Sequence, residues 1–443
     1  MANTDSTSQS QELQLMREER ELASPERHNW SRLLLEILSF FNADSIPESI
    51  LTENKPLDAQ SEADPLFEIA HFHTAVKDLL DAQLLIRTGL AFSMDRLVQQ
   101  ATHNQMTSMR RNRTFQIAFD YLFAVFPKPV EGGLLVSESE QRCQYYQPHV
   151  ESIQCRYLQF EIDAGTTRSH LAQLLTHCSW YLYEKCMFAQ AVEMASTAKD
   201  SLELIEGHDQ WLLAAAMTAM GNASLVSGAP RAQEVYDSLY HALRIRVKLV
   251  YAGVYSFDHP RIANAYMSLA AGALGLARIV EAIKLAENAV RLRQQSPQIQ
   301  LQMLAMSHIN AGLIYLAGGQ LDRADTQAGY ALDVSEHLEG NAEKVMDVQN
   351  PLLVGRIDLV KGNLEENCKL ALAVLHGMTY VESSEMRVLY MIGVLMEKLG
   401  DSEGAREKAH ARRSYRRVYG TDLPDDDEAA MRELDAKVHP CYR

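Results

Sequence analysis

Cysteine is scarce and scattered in this chain of 443 residues. Six are present (Cys143, Cys155, Cys178, Cys186, Cys368 and Cys441), with no Cys-x-x-Cys pair. That argues against a structural disulfide or zinc site and for reduced thiols in the cytosol. Positive charge is also short: 42 Lys and Arg face 58 Asp and Glu, a net charge of −16. Phosphate contact needs a basic surface, so nucleic acid is not the expected partner. No long hydrophobic run exists. The least polar stretch, Ala265 to Ala277, is too short to span a bilayer, and the first residues are polar without an apolar segment, so neither membrane nor signal peptide is expected. Catalytic signatures are missing too. There is no Gly-x-Ser-x-Gly, His-Glu-x-x-His or Gly-x-Gly-x-x-Gly. Not one Gly-Lys dipeptide occurs, which removes the phosphate-cradling loop Gly-x-x-x-x-Gly-Lys-Ser/Thr and its lysine. His71-x-His73 would point its rings to different sides of a helix, and so reads as ordinary histidines rather than a metal pair. His170 and Cys178 could form a Cys/His nucleophile, but an unremarkable helical pair is the simpler reading. The expectation is therefore a chain that is not an enzyme and holds no cofactor and no metal.

What is present is repetition. The length suffices for two ordinary cores or one long solenoid. Asn310-Ala311-Gly312-Leu313-Ile314-Tyr315-Leu316-Ala317-Gly318-Gly319-Gln320-Leu321-Asp322-Arg323-Ala324 continues to Ala328, Ala331 and Leu332. Gly312 permits close approach of two helices and Tyr315 fills the gap between them. Gly319 ends the first helix in a conformation costly for a residue with Cβ. Ala324, Ala328 and Ala331 share one face of the second helix. Related stretches carry Leu182, Phe188, Ala191, Ala195 and Ala198; Gly221, Val235 and Ala242; Leu269, Ala270, Ala282, Ala286 and Ala289; Gly355, Gly362, Leu364, Asn367, Ala371 and Val374; and Gly393, Met396, Gly400, Ala405 and Ala409. The marker positions 191, 235, 282, 324, 367 and 405 recur about every 43 residues.

This pattern resembles the tetratricopeptide repeat (TPR), whose standard unit has about 34 residues, with longer helices or linkers here. Asp258-His259-Pro260 is similar to the linker of kinesin-light-chain-like TPRs. The resemblance implies an all-α superhelical solenoid over 167–419, built from hairpins.

The amino-terminal half reads differently. Residues 1–27 are Ser/Gln/Glu-rich and expected to be disordered. Ser31 to Phe41 reads as an amphipathic helix, and Ile46-Pro47-Glu48 as the start of a short one. Phe67 to Gln83 reads as a third helix, and Leu84 to Met94 as a β-hairpin turning at Gly89. Helices from Asp95 and from about Thr114 to Phe126 follow. The outline is a winged-helix-like module over 28–127. Asp44-Ser45-Ile46-Pro47, Asp78-Leu79-Leu80, Leu84-Leu85-Ile86-Arg87, Met94 to Gln99 and Phe126-Pro127, then Tyr146-x-Pro148-His149-Val150, resemble the region after the NTPase module of fungal STAND (NB-ARC/TPR, NLR-like) proteins. That resemblance implies a helical bridge over 128–166 and a sensing role. It implies no nucleotide binding, because the phosphate loop is missing. A DNA-reading helix would have to be basic, but Phe67 to Gln83 contains only Lys77. The clusters Arg110, Arg111, Arg113 and Arg406 to Arg417 read as solvated faces. The acidic run Asp425 to Glu428, in an expected tail over 420–443, is placed to neutralise the second.

In a TPR stack the first helix of each hairpin lines the concave face. Transferring that geometry selects Trp180, Tyr183, Asn222, Met267, Ile309, Leu313, Leu316, Leu352, Arg356, Leu359, Tyr390 and Lys398 as partner-binding positions. Each could instead bury against the next hairpin, and Trp180 and Tyr183 read first as packing. The largely apolar lining suits an amphipathic helix held through spaced anchors. It does not suit an acidic carboxy-terminal peptide, because Asn222 lacks the accompanying lysines of chaperone-binding TPRs. The expected function is a cytoplasmic, or alternatively nuclear, monomeric scaffold for a protein or helical peptide. The alternative is a regulatory or accessory subunit docking on a separate NTPase or transcription factor, or accompanying a fungal biosynthetic pathway.

Overall fold

The computed structural model describes residues 25–53, 69–128, 137–185, 187–227, 232–296, 300–338, 341–362 and 382–436. They are helical except for three short strands and connecting turns, so the fold class is all-α. The chain divides into two compact units, Met1–Lys128 with Glu138–Cys178, and Pro129–Ser137 with Ser179–Arg443.

The first unit begins with α1 (Pro25–Leu38), β1 (Ile46–Pro47) and α2 (Ser49–Thr52), then α3 (Ile69–Asp81). The hairpin of β2 (Ile86–Thr88) and β3 (Ala91–Ser93) follows, with Gly89 at φ +61° in its turn. The strand order is β1-β3-β2, all antiparallel. The short helix expected from Ile46-Pro47 is corrected: Ile46 pairs with Phe92 and Pro47 with Ala91. Proline has no N–H to give a ladder and suits this edge strand, so the helix waits until Ser49. Asp95 caps α4 (Arg96–Gln105) by accepting from the Leu97 N–H at 2.7 Å. Thr107 caps α5 (Ser108–Val125) by accepting from the Arg110 N–H, which starts that helix before Thr114. Next comes α6 (Ser137–Gln159).

The core of this unit is Leu34, Ile37, Leu38, Phe40, Phe41, Phe115 and Phe119, all buried. Buried polar groups cross-link it. The Ser39 carbonyl accepts from Gln99 Nε2 at 2.7 Å and lies 2.9 Å from His103 Nε2. Arg156 of α6 donates to Gln99, and Ser152 to the Phe40 carbonyl. His149 accepts from the Asn42 N–H. Burial, with Arg156 and Arg111 adding repulsion, lowers the His103 ring to about 4. Burial alone takes His149 to about 4 against a hydrogen bond to the Ser45 backbone. Both rings are neutral. Glu36, also buried, is held by Arg110 Nε at 2.7 Å and Arg32 Nε at 3.0 Å. His71 stacks on Trp30 with centroids 5.5 Å apart.

The second unit is an array of hairpins. The boundary falls inside α7 (Arg168–Glu184), which precedes α8 (Phe188–Glu203). Then come α9 (Gln210–Ser227) with α10 (Ala232–Tyr251), α11 (Pro260–Gly275) with α12 (Ile279–Gln294), and α13 (Leu301–Ala317) with α14 (Leu321–Ser335). After α15 (Asn341–Lys361), the positions Leu364, Asn367, Ala371 and Val374 lie outside the described residues. The last elements are α16 (Glu382–Lys398), α17 (Gly404–Tyr419) and α18 (Asp427–Ala436), which falls within the 420–443 segment. Helices α9 to α14 each pack on the one before and the one after.

Small residues set this nesting. Ala324, Ala328 and Ala331 are buried, as are Ala282, Ala286 and Ala289, and Ala191, Ala195 and Ala198. In the second copy Leu239 takes the middle place and lies against Gly221. In the sixth copy the register is corrected by one residue. Gly404, not Ala405, is buried, and a Cβ on it would meet the Gly393 carbonyl. The Gly-Ala dipeptide offers two small residues, and only the contact chooses between them. Gly319 at φ +69° closes α13, and the Gln320 N–H reaches back to the Tyr315 carbonyl at 2.9 Å.

Tyrosines fasten neighbouring hairpins. Tyr315 donates to Glu287 at 2.8 Å while Arg323 lies 4.2 Å over its ring. Tyr236 donates to Glu281 under Arg278, and Tyr390 to Asp427 under Arg412. Burial and the facing carboxylate raise each of these hydroxyls to about 12. Helix α18 also supplies the acid for the basic α17, since Lys408 lies 2.8 Å from Asp427.

Candidate functional site

The first helices of the hairpins are the elements expected to carry partner contacts. On α7, Trp180 is half-buried and meets Tyr183 edge-on at 5.9 Å. Tyr183 is buried against Phe188, and Phe188 stacks on Tyr419 of α17 at 6.3 Å. An aromatic series thus joins the first hairpin to the last. Asn222 on α9 is buried, and neither amide atom has a hydrogen-bond partner.

Met267 on α11, and Ile309 and Leu313 on α13, lie inside the core between hairpins. They are there because α9 to α15 pack on both sides, leaving their first helices little free surface. Leu352 on α15 and Tyr390 on α16 occupy the next core in the same way. Arg356 is buried at 5% exposure. Leu316 and Leu359 stand at core edges, half-buried, and Lys398 is exposed. Trp180, Leu316, Leu359 and Lys398 are therefore the selected positions that keep solvent-facing surface in this state.

The array interior also holds polar groups that periodicity does not signal, because they sit at positions a helix would give to apolar residues. Gln349 accepts from Arg387 Nη1 at 2.9 Å, with both buried. His308 Nδ1 lies 2.8 Å from Gln327, and burial lowers its pKa against that bond. Arg293 on α12 donates to Asn264 on α11. Arg246 on α10 is 3% exposed, and its Nε and Nη1 have no hydrogen-bond partner. Its guanidinium carbon lies 5.5 Å from the centre of the Trp211 ring. Burial, with the like charge of Arg261, lowers its pKa to about 9. No signal in the sequence marks Arg246 among its helical neighbours Arg244 and Lys248.

Among the described residues no group of three or more His, Cys, Asp or Glu is gathered as metal ligands, and no helix is long and apolar enough to cross a membrane. Cys178 is wholly buried, which pushes its thiol well up and away from nucleophilic character.

A family model described as a domain of unknown function (DUF7779) matches residues 24–111. No curated protein matches the chain. Among solved structures, the chain is similar to a Rap protein complexed with competence and sporulation factor, at 14% identity and a TM-score of 0.45, over 80% of this chain and 94% of that one. It is similar to the apo form of RapI at 12% identity and a TM-score of 0.46, over 62% of this chain and 95% of that one. A STAND protein with a tetratricopeptide repeat sensor from Pyrococcus horikoshii gives 13% identity and a TM-score of 0.33, over 91% of this chain and 64% of that one.

Proposed function

We propose that this chain is a non-catalytic scaffold whose hairpin array holds a protein or peptide segment. The observation that carries the reading is the run of nested antiparallel hairpins, whose first helices expose Trp180, Leu316, Leu359 and Lys398 at their edges. Such a surface offers apolar anchors and an isolated charge but no converging acid, base and nucleophile, so its tool is shape.

The finer assignment follows the same line. We read 28–127 as a winged-helix-like module, supported by the order helix, strand, helix, helix, hairpin with the sheet arranged β1-β3-β2. Residues 128–166 then form a bridge and 167–419 the TPR-like array, in a cytoplasmic chain like the portion of fungal STAND proteins that follows the NTPase module. The hairpin exposes Leu90 at its tip, at 75%, and Ile86 at the start of β2, at 64%, which favours docking of this module on a separate protein as a second reading.

A photo-crosslinking residue placed at 316, 359 or, as control, 280 tests the main reading in the native cell. Val280 is 70% exposed and begins a second helix. Adducts to one and the same protein from 316 and 359, and none from 280, are expected. Equal capture from all three positions, or none from any, would remove the proposal.

A further inference from the structure

Among the described residues the buried Arg387 and Arg293 have side-chain oxygen partners, Gln349 and Asn264, and the half-buried Arg110 and Lys408 meet carboxylates, Glu36 for the first and Asp427 and Glu397 for the second. Arg246 stands apart. It is 3% exposed, and two of its nitrogens are buried without a hydrogen-bond partner. No acid acts on it; its charged neighbour is Arg261, which repels it. Its flat face is covered by Trp211, itself stacked on Tyr255 at 4.0 Å. Acid is not in short supply, since the chain carries 58 carboxylate residues against 42 bases. A desolvated guanidinium without a counter-ion is unfavourable, and its free N–H groups add to the penalty. Unlike Arg293 and Arg387, Arg246 has no side-chain oxygen partner among the described residues, so its buried N–H groups are suited to an anion.

We propose that Arg246 and Arg261, against the face of Trp211, form a receptor for a carboxylate carried by the polypeptide held in the array. This rests on the scaffold reading above and names the chemistry it recognises. The guanidinium fork matches the two oxygens of a carboxylate, and its planar back packs on an indole. The two charges together would also suit a phosphate, and the phosphate arm of the test separates that case. Arg261, at the amino-terminal turn of α11, offers the solvent-facing side of the site. The carboxylate is either an Asp or Glu side chain or a chain terminus; both present the same oxygens.

The test uses the full chain and small probes at matched ionic strength. N-acetylglycine stands for a terminal carboxylate, N-acetylglutamate α-amide for a side chain, and inorganic phosphate and acetamide for other chemistries. Thermal unfolding and Trp emission are followed in wild type, Arg246→Met, Arg246→Lys and Trp211→Phe. A saturable rise in Tm with at least one acetyl carboxylate is expected in wild type, and the more effective of the two identifies the source. Arg246→Met should abolish that rise and, without any probe, melt about 2 °C above wild type, because it removes an unpaired buried charge. Arg246→Lys should weaken the probe at least tenfold, and this variant carries the test if the methionine form does not fold. Loss of the emission change in Trp211→Phe places the anion at this ring. The proposal is overturned if neither carboxylate acts, if phosphate alone acts, if Arg246→Lys responds like wild type, or if Arg246→Met keeps the response. None of these readouts needs a protein partner, so failed crosslinking and failed titration remain distinguishable.

Discussion

The two units hold themselves together by opposite means. In the first, groups far apart in sequence are tied through buried polar atoms: one carbonyl, at Ser39, serves both Gln99 and His103, and His149 holds the backbone of Asn42. In the second, contacts run from each helix to the next, and alanine and glycine faces bring backbones together. A network of the first kind is stable only while every member keeps its protonation state. Nesting of the second kind depends on volume more than on protonation. The contrast shows that one chain can contain a unit sensitive to pH and a unit sensitive to a methyl group.

Acidification gives the largest expected separation. His103 and His149 have folded pKa values near 4, below the ordinary 6.5, so the unfolded chain binds protons first. Their stabilisation is complete above pH 6.5 and is lost as pH falls towards 4. Between pH 7 and pH 5 each ring is expected to withdraw about 2 kcal/mol from the first unit. His308 in the array moves in the same direction, but the Gln327 bond opposes it. The array has its own weakness at the other end of the scale. Tyr236, Tyr315 and Tyr390 titrate near 12, so the stability they bring is present below pH 10 and lost as pH rises through about 12. Hydrogen exchange at pH 7, 5 and 10.5 would check both arms. Amides of α4 and α6 should lose protection first in acid, and those of α13 first in alkali. Loss in the reverse order would collapse the distinction between the units.

A methyl group sharpens it next. A Cβ on Gly393 would lie 2.6 Å from the Gly404 carbonyl and 2.9 Å from the Lys408 nitrogen, both backbone. A Cβ on Gly221 would lie 2.6 Å from Leu239 Cδ2 and 2.8 Å from its Cγ, both in a side chain that can turn without moving either backbone. Replacing glycine by alanine inside a helix gains about 1 kcal/mol in propensity. Gly393→Ala should still destabilise by about 2 kcal/mol, because neither helix can yield without moving, while Gly221→Ala should be near neutral. Urea midpoints of the two variants decide it. Equal costs would mean that nesting here is soft side-chain packing rather than backbone contact.

The legible part of this molecule was whatever has a period. The alanine faces at 282, 286 and 289 and at 324, 328 and 331, the closing Gly319 and the hairpin around Gly89 follow from spacing and turn chemistry alone. The strand at Ile46–Pro47 was not legible, since two residues carry no alternation and proline suggests a helix start. Its identity comes from β3, forty-five residues later. Gly404 over Ala405 was lost for a similar reason: one turn of small residues fits two registers. The candidate surface was the least legible. Assigning Met267, Ile309 and Leu352 to an open face assumes one side of each first helix is free, whereas these side chains are enclosed. Arg246 left no trace at all, because a basic residue in a helix is ordinary until its partners are counted.

Ala277 offers the smallest effect and the cleanest sign. It occupies in the third hairpin the place that Gly319 and Gly400 fill in the fourth and sixth, and like them it has positive φ, at +57° against +69° and +82°. The hydrogen bond that demands this conformation is the same: the Arg278 N–H reaches the Ala273 carbonyl at 2.9 Å, as Gln320 reaches Tyr315 and Asp401 reaches Met396. A left-handed backbone costs an L-residue with Cβ roughly 1 kcal/mol, and glycine almost nothing, though glycine loses more entropy on folding. The two terms oppose, and the strain is the larger, so Ala277→Gly should stabilise by about 0.5 kcal/mol. Gly319→Ala should destabilise by the same amount, about 0.5 kcal/mol, at the equivalent turn. Chemical denaturation of the pair gives both signs at once. If Ala277→Gly lowers the midpoint, the turn at 277 is relieved by some contact that Gly319 and Gly400 lack, and the hairpins would not be closing by one common device.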